Sequence, residues 1–359
     1  MKTRLSLLLV MLLIIGGTAF GQYIEIRVSV KVIRDPVSNA WPTDITEGLF
    51  RPISGSGNKN AQDSANEWMT NFSRGYRFRI TEVIGIGGPS EQGPNGSTCY
   101  YGTDTRASGN GPSCWFGRGD ARNDPAFNTA IKANPALFKL RSDQVNFYVA
   151  VGKASPSGSG GACPIPPGEA SATWCHGFVN EGGWWLVHET GHFFGLCHTQ
   201  DVCGRIGTLP DNENWTRDQI ATNAYGVPYN SLPDDKKKLV DDTYYNVMSY
   251  HEAPQKDLIE NRMTEAQLDL HADTANSTRA PFVSGKTRFV STTGSDSSSG
   301  GSGSPYRSVT KAVTISNPAG GDIILLRPGA YNEIITINKA VTLRAGRTGQ
   351  IKIGSPTPP

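Results

Sequence analysis

This 359-residue chain lacks any strong excess of positive or negative charge. Lys and Arg total 34 against 32 Asp and Glu, the net charge is +2 at pH 7, and 18% of residues are charged. That balance leaves no basic stripe for nucleic acid and no strongly acidic face, so neither kind of partner is expected. Beyond the N-terminal stretch no segment is apolar enough to cross a bilayer, so no later membrane span is expected. Histidine is scarce too, at 6 residues. Scarcity makes placement informative, because three of the six lie at positions 188, 192 and 198.

Those three belong to the run His188-Glu189-Thr190-Gly191-His192-Phe193-Phe194-Gly195-Leu196-Cys197-His198. On a helix, His188 and His192 are one turn apart and leave the same face, so both imidazoles can reach one ion. Glu189 sits beside the ion without having to bind it. Gly195 can leave the helix in a left-handed conformation that a side chain would resist. The turn would bring His198 back as a third ligand. Three protein ligands and an open fourth position describe a catalytic zinc rather than a structural one. Short motifs arise by accident, but the full H-E-x-x-H-x-x-G-x-x-H is expected by chance in only about 7 in a million such chains. The competing reading is a core helix with histidines on its polar edge.

A second element lies further along, Asn246-Val247-Met248-Ser249-Tyr250. The extended zinc motif followed by a Met-containing turn resembles the metzincin clan of zinc endopeptidases. The resemblance rests on residues of about 180–275. It implies an α+β catalytic domain: a twisted mixed sheet, a backing helix, the zinc helix, and an irregular C-terminal subdomain with the Met-turn. It implies Zn2+ bound by His188, His192 and His198, with Glu189 as general base. Met248 matches the methionine beneath the metal, and Tyr250 matches the phenol that assists the transition state in astacins and serralysins. Arg262 to Gln267 resembles the start of the clan's C-terminal helix, and His198-Thr199 with N-x-M-S-Y resembles the pappalysin-like branch. The implied substrate is a peptide or protein.

Residues 1–21 read as a secretory signal. Lys2 and Arg4 precede an apolar core from Leu5 to Ile15, and Ala19-Phe20-Gly21 places small residues for cleavage before Gln22. No cysteine marks that junction, which argues against a lipoprotein. A secreted, extracellular protein is therefore expected. All six cysteines follow: Cys99, Cys114, Cys163, Cys175, Cys197 and Cys203. An even number in an exported chain reads as disulfides, in any of about 15 connectivities. Proximity in sequence suggests Cys99–Cys114, Cys163–Cys175 and Cys197–Cys203, the last bracing the turn at His198.

The catalytic domain is expected over 22–278. Residues 23–33 alternate apolar and polar and read as a strand. Residues 60–72 have helical spacing, 76–86 alternate again, 126–137 suggest a helix, and 144–151 a buried strand. Residues 172–179 are a short strand candidate; the metzincin resemblance implies that one of the last two strands stands at a sheet edge, where extended peptide adds by β-pairing. A helix is expected over 214–223, and 264–275 closes the domain, with Thr264 and Gln267 forming a capping box. The charge run at 234–242 reads as a solvated face, without the spacing of a calcium loop. His176, His251 and His271 read as satisfied or structural histidines.

Residues 279–287 read as a linker. Residues 288–359 then resemble the start of a pectate-lyase-like right-handed β-helix. Short apolar strands at 323–326, 334–337, 341–343 and 351–353 are separated by polar turns, enough for about two coils where about three are normally needed. A small β-sandwich is the alternative. No acidic cluster in this segment suits polysaccharide cleavage. A second functional reading is a catalytically silent surface protein that contacts glycans or cells through this segment.

Overall fold

The computed structural model describes residues 23–54, 60–89, 91, 111–117, 125–150, 161–166, 174–177, 183–251, 262–347 and 349–354. The expected signal peptide and Cys99 lie outside them. No helix among the described residues is long and apolar enough to cross a membrane.

The molecule is mixed α/β, built on parallel strands. Strand β1 (Ile24–Ile33) runs parallel to β2 (Tyr76–Ile86) on one side and β3 (Val145–Val149) on the other. The short β4 (Gly161–Ala162) and β5 (Trp174–Gly177) complete a five-stranded sheet ordered β2-β1-β3-β5-β4. Only β4 is antiparallel, and it forms one edge, with β2 at the other; the strands expected at an edge, now β3 and β5, are both interior because the short β4 adds outside β5. The alternation of β1 sends Ile24, Ile26, Val28, Val30 and Val32 into the main core. Its other face is covered too. There Ile33 joins Trp115, Phe127, Phe138 and Tyr148 beneath α2 (Pro125–Ala133).

On the main-core face lie α1 (Ala61–Asn71) and α3 (Trp184–Phe193). Asn60 caps α1 by accepting from the Asp63 N–H at 2.9 Å. After α3 come α4 (Arg217–Tyr225), α5 (Asp234–Tyr244) and α6 (Glu265–Asn276). Capping boxes start α4 at Thr216/Gln219 and α6 at Thr264/Gln267. The charge run read as a solvated face is the helix α5. Asp234 and Asp235 fall in its first turn, where the helix dipole favours anions, and buried Val240 packs with Ile220, Ala221 and Leu232.

The C-terminal part contains β6 (Thr287–Val290), α7 (Val309–Ile315), β7 (Ile323–Leu326), β8 (Gly329–Tyr331), β9 (Thr342–Ala345) and β10 (Ile351–Ile353). The ladders β6-β7-β9 and β8-β10 are parallel, which a sandwich of hairpins would not give. The expected strand at 334–337 is not one, and Ile334 is 84% exposed.

The segment read as a linker is packed. Arg279 is fully buried, Phe282 and Val283 are in the main core, and Val283 bridges to Ile26 of β1. Phe289, Ile323 and Leu325 share that core with α3. An apolar pair inside a polar stretch was too short a signal to overrule its turn-like composition. Asp269 of α6 adds an ionic knot. It accepts from Arg74 at 2.9 Å and Arg347 at 2.7 Å, with Arg327 at 3.6 Å. Arg74 is 4% exposed at its side chain and also pairs with the half-exposed Glu265, so losing Asp269 would leave its buried charge with one partner of two. Asp269→Ala should therefore cost about 1.5–3 kcal/mol, read as a lowered urea midpoint of the whole chain.

A second buried charge sits on β1. Lys31 donates to Ser29 Oγ at 2.6 Å and to Asn146 Oδ1, beside the ring of Tyr148. Burial pulls its amine from 10.5 down to about 7, against the attraction of Glu82. Between those values the unfolded chain holds a proton that the folded chain does not. Stability should thus rise with pH from about 7 to 10.5, by roughly 1.4 kcal/mol for each unit of displacement. Urea unfolding across that range, compared with Lys31→Met, should show the slope in the parent and lose it in the variant.

Candidate metal centre

Helix α3 is not a surface helix. Every residue from Trp184 to Phe193 is buried, so its polar side chains lie in the interior and need partners. Its entry is made by Gly183, at φ +71°, where a Cβ would stand 2.4 Å from the Ala61 carbonyl oxygen. Its exit is Gly195, at φ +94°, after which the chain doubles back. The Leu196 N–H closes that turn on the Gly191 carbonyl at 2.9 Å.

The turn brings His198 onto the other two histidines. The metal-capable atoms of His188, His192 and His198 lie within 4.8 Å of one another. His192 Nε2 and His198 Nε2 are 3.0 Å apart. Tetrahedral zinc with nitrogens at 2.0–2.1 Å would separate them by about 3.3 Å, so the spacing suits such an ion. Backbone carbonyls fix the tautomers. His188 Nδ1 donates to Val247 O at 2.7 Å and His192 Nδ1 to Leu196 O at 2.6 Å, which leaves each Nε2 with a lone pair. His198 Nδ1 faces Asp201 Oδ2 at 3.3 Å.

Electrostatics agree with this donor role. Burial, then the neighbouring imidazoles, pushes His188 well below its ordinary 6.5. The same causes take His192 down to about 3. Burial lowers His198 as well, opposed by Asp201. The imidazoles of His188 and His192 are therefore neutral at pH 7, as metal ligation requires.

Glu189 is 3% exposed, on the helix between the two histidines. Met248 is fully buried, and a Cβ on Gly191 would meet its sulfur at 2.5 Å, so the methionine rests directly against α3. The turn carrying it is held by Asn246, which accepts from Met248 N at 3.0 Å and donates to Gln267 at 2.8 Å. Gln267, expected as a capping residue, thus also fixes the turn. Tyr250 lies at the mouth, 44% exposed, its ring 4.2 Å from that of His198 and 6.0 Å from that of His188.

Of the five site residues expected from the sequence, His188, His192, His198 and Tyr250 come together ring to ring, and Glu189 is buried on the helix between the first two. Of the other histidines, His271 is packed between Tyr76 and Phe194, where burial takes it down to about 3. His251 is buried against Asp211, and the side chain of His176 lies outside the described residues. Trp184 tilts its ring over His188 at 4.5 Å. Asp201 and Asp211 were missed altogether; Asp201's place three residues after His198 was the available signal.

The disulfides Cys163–Cys175 and Cys197–Cys203 are present, and Cys114 is disulfide-bonded. Cys197–Cys203 closes a small ring that contains His198.

Comparison with known proteins reaches only the C-terminal part. Residues 292–348 match the model of a family described as a protein of unknown function (DUF1565). No curated protein and no solved structure matches the chain.

Gly204 tests the small ring. A Cβ there would lie 1.7 Å from the His198 carbonyl oxygen, backbone that cannot turn aside. Gly204→Ala should displace the 198–204 loop. Competition with a chromophoric chelator should show metal affinity weakened by at least about tenfold.

Proposed function

We propose that this chain is an exported zinc endopeptidase of the metzincin type, directed across the membrane by residues 1–21. The observation that carries the reading is the convergence of three imidazoles, those of His188 and His192 neutral at pH 7, with Tyr250 beside them and Glu189 on the same buried helix. A zinc ion held by His188, His192 and His198 would supply Lewis acidity and ease deprotonation of water.

The chain's own residues do the rest. Glu189 takes the proton from the attacking water and returns it to the amine that leaves as the peptide bond breaks. Its placement between two ligands on one helix keeps it beside the reacting atoms throughout. Tyr250 donates a hydrogen bond to the oxyanion of the tetrahedral intermediate. Its exposure at the mouth leaves it within reach of substrate. Met248 contributes packing against Gly191 and no chemistry. Among the described residues no strand pairs with the outer side of β4, so an extended peptide can add there as one more strand, aligned by main-chain hydrogen bonds.

The C-terminal segment supports catalysis rather than a silent binding role in this reading, because its strands share a core with α3. For that reason the test uses residues 22–359 together, as one chain. It should take up one equivalent of zinc and cleave members of a mixed peptide library, and a chelator should stop it. Glu189→Ala should keep the zinc and lose turnover. Tyr250→Phe should keep the zinc and lower kcat by about 10- to 100-fold. Parent-like cleavage by Glu189→Ala would remove it as the base, and a parent chain that takes up no zinc would end the proposal.

A further inference from the structure

Two buried polar residues beside the site have no part in the chemistry above. Asp211 is 7% exposed and His251 is 4% exposed. His251 Nε2 donates to Asp211 Oδ1 at 2.9 Å, and Thr199 Oγ1 donates to Asp211 Oδ2 at 2.7 Å. The Asn212 N–H adds a third bond to Oδ1 at 2.8 Å. A carboxylate taken this far out of water needs such donors.

The positions of its partners matter more than the pair itself. Thr199 directly follows His198, and His251 directly follows Tyr250. One carboxylate therefore holds the residue after the third histidine and the residue after the phenol. Backbone links run alongside: Thr199 N donates to Met248 O at 3.1 Å, and His251 N donates to Ser249 Oγ at 2.9 Å. Tyr244, from α5, stacks on the His251 ring at 4.3 Å. Tyr250 is half-exposed on a turn, so the direction of its phenol depends on what holds that turn.

We propose that Asp211 and His251 are positioning residues that lock Tyr250 to the His198 loop, so that phenol and third ligand keep one geometry. This rests on the reading of the three histidines as a zinc site. Neither residue touches the ion or the substrate. His251 acts through Tyr250, and Asp211 acts through both Thr199 and His251.

The test is a double-mutant cycle in the same chain, residues 22–359. His251→Leu should lower kcat about tenfold or more at a KM within about twofold of the parent. Combined with Tyr250→Phe, it should be no worse than Tyr250→Phe alone, because both changes remove the same contribution. His251→Gln, whose amide can still donate to Asp211, should recover most of the rate. Thr199→Val should weaken zinc binding about tenfold by chelator competition and alter the visible spectrum of the cobalt-loaded protein. If His251→Leu does not fold, the Gln and Val variants carry the test. Parent-like kcat in His251→Leu, losses that multiply with Tyr250→Phe, or parent-like zinc affinity and cobalt spectrum in Thr199→Val would each overturn the proposal. A parent chain that binds zinc and cleaves peptides while these variants match it leaves the site reading standing and removes only the clamp. A parent chain that takes up no zinc removes both.

Discussion

The constraint on which the rest of this structure depends is the burial of a helix that carries two histidines and a glutamate. A polar group inside a protein must find a partner, and α3 has no solvent-facing side on which to put one. His188 and His192 solve this by giving their Nδ1 protons to the backbone at Val247 and Leu196. Each of those carbonyls belongs to a segment that must then lie close to the helix: one is the turn of Met248, the other the loop leading to His198. The same two bonds that satisfy the imidazoles therefore assemble the rest of the centre.

The surroundings of α3 follow from the same need for cover. The sheet and α1 close one side, with Gly183 allowing the two helices to meet backbone to backbone. The stretch 279–283 closes another. Arg279 donates from Nε to the Phe193 carbonyl at 3.0 Å and lies over the Phe193 ring at 4.1 Å, so it ties the last turn of α3 to the start of the C-terminal part. Tyr76 and Thr287 join β2 to β6 by a buried hydrogen bond of 2.8 Å. The parallel strands β6 and β7 thus turn Phe289, Ile323 and Leu325 into the same core that covers α3.

Much of this was legible from residue patterns. The alternation at 23–33 and 76–86 and the spacing at 60–72 correspond to β1, β2 and α1. Thr264 and Gln267 cap α6 as their spacing implies. Other features left no readable trace. Helix α5 hides in a charge run because its only inward residues are few, among them Val240 and Thr243. Lys31 reads as an ordinary outward position in a half-buried strand. Only the packing of α2 and its neighbours on the second face shows that the position is closed to water. Asp211 lies in a loop with no pattern at all, forty residues from the histidine it meets.

The sequence by itself determined which groups this protein has to offer: three imidazoles at 188, 192 and 198, a carboxylate between them, and glycines where the backbone must turn. Those are local matters, set by side-chain chemistry and by steric freedom at a single residue. Tertiary structure decided which nitrogen of His188 and of His192 faces inward and that both rings are neutral. It also decided that Tyr250 stands beside His198, and that the segment after 279 belongs to the same core. Each of these depends on burial and on partners tens to hundreds of residues away, and desolvation is a property of the packed chain rather than of any stretch within it.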